Sequence, residues 1–143
     1  MINSFRGDYY FLSNFYDAHV TYQGVTYKNN EAAFQAQKCV NECIKSSFAN
    51  LSASEAKHFG RKVTLRNDWE QVKVSIMQEI VDAKFDQNHD LAKKLIMTGD
   101  EYLEEGNTWG DRIWGTVNGI GQNHLGKILM KTRERLIKNK EVC

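Results

Sequence analysis

The second half of the chain carries apolar residues at steps of three and four, the spacing that predicts amphipathic helices. The clearest stripe follows Asn67-Asp68 and predicts a buried helix of about five turns. Its apolar positions are Trp69, Val72, Ile76, Met77, Ile80, Val81 and Ala83. A second stripe predicts a helix from Asn88 or Asp90 to near Gly99, and a third predicts a final helix with a basic end, which suits the helix dipole. Glu101-Tyr102-Leu103 is interpreted as a short strand.

The first half predicts a hairpin and a helix that follows it directly. β-branched and aromatic residues flank Gln23-Gly24, which predicts two short antiparallel strands over residues 18–22 and 25–27. An asparagine at position 29 or 30 then caps a helix that is predicted to run to about Val40.

Two more short helices are predicted before the long stripe. One follows Asn41, and the other begins at the capping-box pattern Ser52-Ala53-Ser54-Glu55 and ends near Gly60. Helices therefore dominate and strands are few and short, so the predicted fold class is α+β. No linker, repeat or low-complexity tract interrupts the chain, and we expect a single compact, mostly helical domain over residues 1–143.

Composition narrows the classes of partner. The 143 residues contain 19 Lys and Arg against 18 Asp and Glu, a net charge of +1, which argues against charge-driven binding to long nucleic acid. A small anionic ligand held locally is compatible with this balance. No apolar run approaches the roughly 18 residues of a membrane span, and the opening residues do not resemble a signal peptide. We therefore expect a soluble, cytoplasmic protein that does not bind membranes.

Neither a disulfide framework nor a metal site is predicted. The cysteines are Cys39, Cys43 and Cys143, too few for a framework, and the four histidines are scattered without the spacing of ligands. We expect no metal and no cofactor.

The helix predicted after the hairpin carries an unusual polar row. At 100° per residue, the side chains of Glu31, Phe34, Gln35 and Lys38 project from one side, and small residues occupy a different side. Such a row could form the wall of a pocket. Rows of charged residues usually lie at the surface, however, so this segment alone favours an ordinary solvated face.

A second unusual stretch is Gly106–Gly126, named here the Gly-Trp segment. It holds six of the ten glycines and two of the three tryptophans. Glycine lets a backbone approach a ligand closely, and the segment leads into a helix whose first N–H groups are expected to be unpaired and to suit a phosphate. Trp109 and Trp114 could stack on a base or sugar, and Asp111 is a second candidate carboxylate. A turn-rich connection whose tryptophans cover the core is the alternative.

The third stretch, residues 5–16, contains six aromatic residues among twelve. Arg6 beside Gly7 could contact a phosphate through its forked guanidinium, and Ser13 and Asn14 could bind the polar edge of a ligand. Edge strands also collect aromatic residues, so an apolar edge strand is the alternative interpretation.

Blocks of residues along nearly the whole chain match a known family in the family's own order. They are Phe5-Arg6-Gly7, Phe11-Leu12-Ser13-Asn14-Phe15, Glu31, Gln35-Ala36-Gln37-Lys38, Lys57, Gly60-Arg61, Leu65-Arg66-Asn67-Asp68-Trp69-Glu70, Ala83-Lys84-Phe85, Trp109-Gly110-Asp111, Asn123 and Leu125-Gly126. On these blocks the chain resembles the NADAR family, which includes the YbiA-like N-glycosidases. It departs from the family at Ala32-Ala33, where members often have histidine and an aromatic residue.

The resemblance implies a small α+β protein that cleaves N-glycosidic bonds. It implies two substrate classes: phosphorylated pyrimidine intermediates of riboflavin synthesis, and ADP-ribose attached to guanine, including guanine in DNA. By the same resemblance Glu31 is the catalytic glutamate, Asp111 is the family's aspartate after Trp-Gly, and Trp69 is the tryptophan of its Leu-Arg-x-x-Trp block. The sequence leaves open which substrate class applies and whether the protein is paired with an ADP-ribosyltransferase.

The chemistry of the residues agrees with this implication. Breaking a ribosyl C–N bond passes through an oxocarbenium-like sugar, which a carboxylate stabilises while it orients or deprotonates water. We expect Glu31 to act in this way and Asp111 to bind ribose hydroxyls or share the acid–base work. Lys38 could neutralise a phosphate, protonate the leaving base, or attack the sugar C1 as an amine. Trp69 heads the strongest apolar stripe, so core packing is favoured for it over ligand contact.

The predicted ligand-binding residues come from all of these segments. They are Arg6, Gly7, Phe11, Ser13, Asn14, Phe34, Gln35, Trp69, Trp109, Gly110, Trp114, Gly115, Asn118, Gly119 and Asn123. The leading hypothesis is a metal-independent N-glycosidase, which requires Glu31 and the Gly-Trp segment to converge on one sugar. A module that binds ADP-ribose without cleaving it is the alternative, and it would not need both Glu31 and Asp111. An interaction domain without a small ligand does not account for the Gly-Trp segment.

Overall fold

The computed structural model describes residues 1–142, with side chains through residue 140. About half of this part of the chain is helical, and its one sheet has two strands. The elements are a 3₁₀ helix (Gly7–Leu12), strands β1 (Asp17–Tyr22) and β2 (Val25–Asn29), and helices α1 (Asn30–Ala36), α2 (Glu42–Ser46), α3 (Ala53–Gly60), α4 (Trp69–Gln87), α5 (His89–Met97) and α6 (His124–Val142). The predicted α+β class is confirmed.

These elements belong to two compact units. One unit consists of Met1–Ser13 together with the chain from His89 onward, and it contains the 3₁₀ helix, α5 and α6. The other is Asn14–Asn88, which contains the hairpin and α1 to α4. The expectation of a single domain stays a prediction.

The predicted hairpin is confirmed. Gln23 and Gly24 have φ angles of 50° and 85°, so both central residues of the turn are left-handed, as a tight two-residue connection of twisted strands requires. Val20 pairs with Tyr27, and both side chains are almost completely buried. β1 packs against α4 and β2 against α1, so the hairpin covers one side of the helices in its unit.

Helix α1 begins where the sequence predicts and ends earlier. The Asn29 side chain accepts a hydrogen bond from the N–H of Ala32 (2.7 Å) and caps the helix. The predicted continuation to Val40 is wrong, because the helix ends at Ala36. The Gln37 side-chain amide donates to the Ala33 carbonyl (2.9 Å), the acceptor that a continuing helix would assign to the Gln37 backbone N–H. That N–H donates instead to the Phe34 carbonyl (3.0 Å), which tightens the last turn.

Helix α4 matches its predicted start and length, but its buried stripe differs from the prediction. It begins at Trp69 and has 19 residues, about five turns. Three of the predicted stripe positions, Val72, Ile76 and Ala83, are only half-buried. The buried residues are Trp69, Met77, Ile80, Val81, Lys84 and Phe85. The stripe therefore includes a lysine, which apolar spacing alone did not select.

Two other predicted helices are confirmed with their caps. The Asn41 side chain accepts from the N–H of Ile44 and starts α2, and Ser52 and Glu55 form both bonds of a capping box at the start of α3.

None of the helices in residues 1–142 combines the length and apolar character that crossing a bilayer requires.

In the unit that contains the 3₁₀ helix, α5 and α6, neither the predicted strand nor the edge strand considered as an alternative forms. The short strand expected at residues 101–103 is a single bridge between Leu103 and Ile2, in which the Ile2 N–H donates to the Tyr102 carbonyl and the Ile2 carbonyl accepts from the Glu104 N–H (both 2.9 Å). The Leu103 carbonyl accepts from the Asn123 side chain (2.9 Å). The edge strand considered for residues 5–16 is also wrong. Its centre is the 3₁₀ helix, which buries Phe11 and Leu12.

Candidate active site

The row of polar side chains on α1 lies inside its unit. All seven residues of the helix are buried, and Glu31 is 8% and Gln35 7% exposed. The interpretation of this row as an ordinary solvated face is therefore wrong. Burying a carboxylate without hydrogen-bond donors is costly, so the partners of Glu31 decide what the site can do.

Glu31 is held from two directions. Its backbone N–H donates to the carbonyl of Asn14 (3.0 Å), and its carboxylate Oε1 accepts from Nε2 of Gln35 (3.1 Å). Asn14 is itself buried, with its Oδ1 accepting from Asn30 (3.4 Å) and its Nδ2 directed at the sulfur of Met77 (3.5 Å). Asn14, predicted to bind ligand, thus helps to place the start of α1.

Phe34 and Trp69, both predicted from the sequence to bind ligand, are brought together in this unit. Their ring centroids are 5.0 Å apart with planes tilted by 50°, and both residues are buried. A tilted aromatic pair at this distance is favourable beyond its burial of apolar area. The pairing gives Trp69 a packing role, and contact with a ligand stays a prediction.

Lys38 lies beyond the end of α1, so the argument that it shares a helical face with Glu31 is wrong. Its backbone carbonyl accepts from the N–H of Arg66 (2.8 Å), which fixes the turn that carries it. Burial lowers the pKa of the Lys38 amine, and the nearby positive charges of Arg61 and Lys73 act in the same direction. The charge of Glu31 opposes this shift. The two side chains therefore interact electrostatically, and more of the amine is neutral near pH 7 than for an exposed lysine.

The same unit contains a cavity of about 400 Å³, whose lining includes the residues that neighbour Lys38 and Trp69 in the sequence. Its charged residues form two ion pairs: Arg66 binds Asp68 through two hydrogen bonds (2.6 and 3.1 Å), and Lys45 is 3.5 Å from Glu42. The lining residues are Cys39, Val40, Glu42, Lys45, Arg66, Asn67 and Asp68. None of the predicted site residues belongs to this set.

In the other unit, Arg6 lies over Trp109. The guanidinium carbon is 6.0 Å from the centre of the indole ring, a cation–π distance, and Trp109 is 55% exposed. A cation next to an exposed aromatic face can hold a phosphate and a base at one place. The structure thus brings together two residues that the sequence assigned to ligand binding from separate segments.

Asp111 has a defined structural task. Its Oδ1 accepts from the backbone N–H of Ile113 (3.0 Å) and of Trp114 (2.9 Å), which folds the chain into a turn after Gly110. Asn107 supports the same turn, because its Oδ1 accepts from the Asp111 N–H and its Nδ2 donates to the Asp111 carbonyl. One carboxylate oxygen of Asp111 is thus used by the backbone.

The fold itself requires glycine at three positions of the Gly-Trp segment. Gly110 and Gly119 have φ angles of 87° and 79°, and Gly119 follows Asn118 (φ 53°) in the tight turn between Val117 and Ile120. At Gly115, a Cβ atom would lie 2.0 Å from the Glu105 carbonyl oxygen. Binding of a ligand by Gly110, Gly115, Asn118 and Gly119 stays a prediction.

The expectation that α6 presents unpaired N–H groups to an anion is wrong at its first two residues. The N–H of His124 donates to the Ile113 carbonyl (3.1 Å), and that of Leu125 donates to the Trp114 carbonyl (2.9 Å). The Gly-Trp segment folds back on the helix start and satisfies these donors itself.

The remaining predicted residues of this unit are Gly7, Phe11, Ser13, Trp114 and Asn123. Gly7 has a φ of 57° at the start of the 3₁₀ helix, Phe11 is buried, and the Ser13 N–H donates to Tyr10 and ends that helix. Trp114 is half-buried, with its ring 6.0 Å from that of His124. Asn123 is buried and clamps the chain, since its Oδ1 accepts from the Glu105 N–H (3.0 Å). Ligand contacts of these five residues stay predictions.

The catalytic residues predicted from the sequence fall in different units. Glu31 and Lys38 belong to Asn14–Asn88, and Asp111 belongs to the unit that contains the Gly-Trp segment. The convergence of these groups on one sugar therefore stays a prediction. Among the side chains of residues 1–140, no three His, Cys, Asp or Glu side chains are grouped as metal ligands.

The sequence missed the lysine inside α4. Lys84 is 1% exposed, with its Nζ 5.6 Å from the ring centre of Tyr16 and 5.3 Å from that of Phe85. Burial lowers the pKa of this amine to about 7. A signal was present, because Lys84 lies four residues after Ile80 and three after Val81, on the apolar stripe itself.

A family model, two relatives and a solved structure each match most of this chain. The NADAR domain family model matches residues 3–137. The riboflavin biosynthesis protein VVA0006 of Vibrio vulnificus (strain YJ016) is 37% identical over 130 residues, which are 88% of this chain and 35% of that protein. The N-glycosidase YbiA of Escherichia coli (strain K12) is 36% identical over 133 residues, 90% of this chain and 82% of that protein. The NMR structure of the E. coli protein YbiA matches with a TM-score of 0.84 at 33% identity, covering 98% of this chain and 89% of that chain.

Proposed function

Because the chain belongs to the NADAR domain family, we propose that it is an N-glycosidase, which hydrolyses the bond between the C1 carbon of a ribose and the nitrogen of a base. The observation that carries this proposal is the Glu31 carboxylate, buried on α1 and held by the Gln35 amide. The name of one relative supports the proposal directly, since it is called an N-glycosidase. Another is called a riboflavin biosynthesis protein, which bears on the class of substrate.

The proposed reaction uses Glu31 at the sugar. As the C–N bond breaks, the electron pair leaves with the base and the ribose becomes an oxocarbenium-like cation. A buried carboxylate next to C1 stabilises that cation more strongly than one in water, because the low local polarity screens it less. Water then forms the new bond to C1, its proton passes to the carboxylate, and the leaving base gains a proton in turn.

Lys38 is the proposed second catalytic group of this unit. Burial lowers the pKa of its amine, so a neutral nitrogen is more available for attack on the C1 of the sugar. In that route the Lys38 nitrogen bonds to C1 as the bond to the base breaks, and the base leaves with the electron pair and gains a proton. The ring C1–O bond then opens, and an amine proton passes to the ring oxygen to give a Schiff base. Water hydrolyses this Schiff base to free sugar and free lysine. A proton donor to the base and a charge partner for a phosphate are the other two roles of Lys38 that the chemistry permits.

For the substrate we propose ADP-ribose attached to guanine, including guanine in DNA, or a phosphorylated intermediate of riboflavin synthesis. The cation–π pair of Arg6 and Trp109 supports a nucleotide-like ligand, since it offers a charge for phosphate and an exposed ring for a base. A location in the cytoplasm and a pairing with an ADP-ribosyltransferase belong to the same proposal.

One observation favours the second candidate function, binding of ADP-ribose without cleavage. The enzyme hypothesis draws on the joint presence of Glu31 and Asp111, and one oxygen of Asp111 is occupied by the N–H groups of Ile113 and Trp114. A binding module would retain such a turn without needing the acid.

The test is release of sugar from defined substrates. We expect the protein to free ADP-ribose from an oligonucleotide with ADP-ribosylated guanine, or ribose 5-phosphate from a phosphoribosyl pyrimidine. Glu31→Gln should slow release by about 10²- to 10⁴-fold, and Glu134→Gln, at an exposed pair on α6, is the matched control. Release should persist in EDTA, because the proposed reaction uses only side chains of the protein and water. Binding without release, unchanged in Glu31→Gln, would establish the binding module instead.

A further inference from the structure

Glu31 and Gln35 lie one turn apart on α1, and the orientation of the Gln35 amide is determined by what surrounds it. Its Nε2 is 3.1 Å from Glu31 Oε1. An ionised carboxylate only accepts hydrogen bonds, so the amide must present its NH₂ group there. Both side chains are buried, which makes this contact strong and hard to replace by water.

The other end of the amide faces a glycine. Gln35 Oε1 is buried and has no hydrogen-bond partner among the described residues. A Cβ atom on Gly60, the last residue of α3, would lie 2.0 Å from this oxygen and 2.8 Å from Gln35 Cδ. Gly60 thus leaves the space that the amide occupies. Turning the amide over would direct its oxygen at the Glu31 carboxylate, so the alternative orientation is repulsive.

An amide with an unsatisfied oxygen is a poor choice for packing alone. A buried acceptor without a partner destabilises the folded state, whereas an apolar side chain of similar shape would carry no such cost. Gln37, the next buried glutamine, is different. Its amide donates to the Ala33 carbonyl (2.9 Å) and to the Tyr27 hydroxyl (3.4 Å), contacts that shape the end of α1. The hydrogen bond of Gln35 goes to Glu31.

We propose that Gln35 is a positioning residue for the Glu31 carboxylate, and that glycine at position 60 is what allows it to be one. The proposal rests on the proposed function, in which Glu31 acts on the sugar. The N–H donor selects one orientation of the carboxylate and favours its ionised form, the form that stabilises a cationic sugar. Gln35 then acts through Glu31 without contacting the substrate.

The first test is Gln35→Met, which keeps the length of the side chain and removes the amide. We expect kcat to fall by about 10- to 100-fold with KM changed less than about threefold, because misplacing a catalytic group slows the chemical step more than binding. The acidic limb of the pH–kcat profile should move to higher pH, since the carboxylate loses a donor. Tm should change little or fall, because the buried Glu31 carboxylate loses a donor while the unpartnered Gln35 oxygen is removed as well.

The matched control is Gln37→Met. It breaks two structural hydrogen bonds, so Tm should fall while kcat per folded molecule and the pH profile stay at the wild-type values. If Gln35→Met likewise left kcat and the pH profile unchanged, Gln35 would be a packing residue and the proposal would be overturned.

The second test uses Gly60→Ala in two backgrounds. Gly60 is helical and its φ is not in the left-handed region, so alanine suits the backbone and its added carbon meets the Gln35 side chain. We expect the substitution to lower kcat in the wild-type protein and to have a much smaller effect in Gln35→Ala, where the amide is gone and only the contact with the Cβ of residue 35 (3.2 Å) remains. Equal fold-losses in both backgrounds would contradict the proposal.

A substrate-free measurement separates this inference from the proposed function. The Glu31 carboxyl carbon can be titrated by ¹³C NMR, with Glu31→Gln used to assign the signal. We expect its midpoint to rise in Gln35→Met. If the wild type released no sugar but the midpoint rose, the N-glycosidase proposal would fail and the positioning contact would stand. An active wild type with an unmoved midpoint would refute the positioning role alone.

Discussion

Phe34 on α1 and Trp69 at the start of α4 pack ring against ring, with centroids 5.0 Å apart. The contact joins the helix that carries Glu31 to the longest helix of its unit, and both residues are buried. The contact thus ties α1 to α4 through two residues that are far apart in the sequence.

Removing this pair should destabilise the fold. We expect Trp69→Ala to lower the free energy of unfolding by about 3–5 kcal/mol, because it leaves a large cavity against Phe34. A double-mutant cycle with Phe34→Leu, followed by urea denaturation, should give a coupling of about 0.5–1.5 kcal/mol. Strictly additive losses would argue that the rings do not stabilise each other.

Trp69→Phe tests for a ligand role, since a loss of kcat/KM well beyond its loss of stability would indicate contact with substrate.

Two substitutions at Asp111 distinguish its role in holding the turn from a role in the reaction. Asp111→Asn keeps an oxygen to accept from Ile113 and Trp114, so its Tm should stay near that of the wild type. Asp111→Ala removes that acceptor and should cost about 1 kcal/mol of stability. If the charge takes part in the reaction, the asparagine variant should lose about 100-fold in rate while remaining folded. Wild-type turnover by Asp111→Asn would assign the residue to the turn alone.

Lys38 offers three roles that variants can distinguish. We expect Lys38→Ala to fold and to be inactive, and Lys38→Arg to recover activity only if a positive charge is all that is needed. For attack by the amine, activity should rise with pH through the lowered pKa of Lys38, because the neutral form lies above it. Borohydride should then trap a lysine–sugar adduct detectable by mass spectrometry. Full activity of a folded Lys38→Ala would remove this residue from the mechanism.

Lys84 should make stability depend on pH. Its pKa is about 7 in the folded protein against 10.5 for an exposed lysine, so between these values the unfolded chain binds a proton that the folded chain has released. Stability from this group therefore rises with pH across that window, by roughly 1 kcal/mol per pH unit, and is lowest below about pH 7.

Lys84→Met removes this dependence while keeping the size of the side chain. We expect the variant to gain most over the wild type at pH 6 and to lose that advantage by pH 10, as measured by urea unfolding. Lys93→Met, an exposed position on α5, serves as the control and should track the wild type at each pH. Parallel pH curves for Lys84→Met and the wild type would show that the amine is not perturbed.

Local patterns predicted the elements whose causes are local. The hairpin turn at Gln23-Gly24, the cap at Asn29 and the capping box at Ser52 depend on residues within a few positions of one another, and each is found where it was predicted. The early end of α1 was missed, although its cause is also near in sequence, because nothing marks in advance that the Gln37 side chain will bind the Ala33 carbonyl.

The sequence by itself determined the α+β class, most helix boundaries and, through its resemblance to a family, the identity of Glu31 as the residue to examine. Only the tertiary structure decided that the polar row of α1 is buried, that Gly60 makes room for the Gln35 amide, and that the Lys84 side chain is covered. The physical reason is that burial depends on which other elements cover a side chain, and those elements come from distant parts of the chain. Periodicity identifies a face of a helix; what packs against that face is decided by the fold.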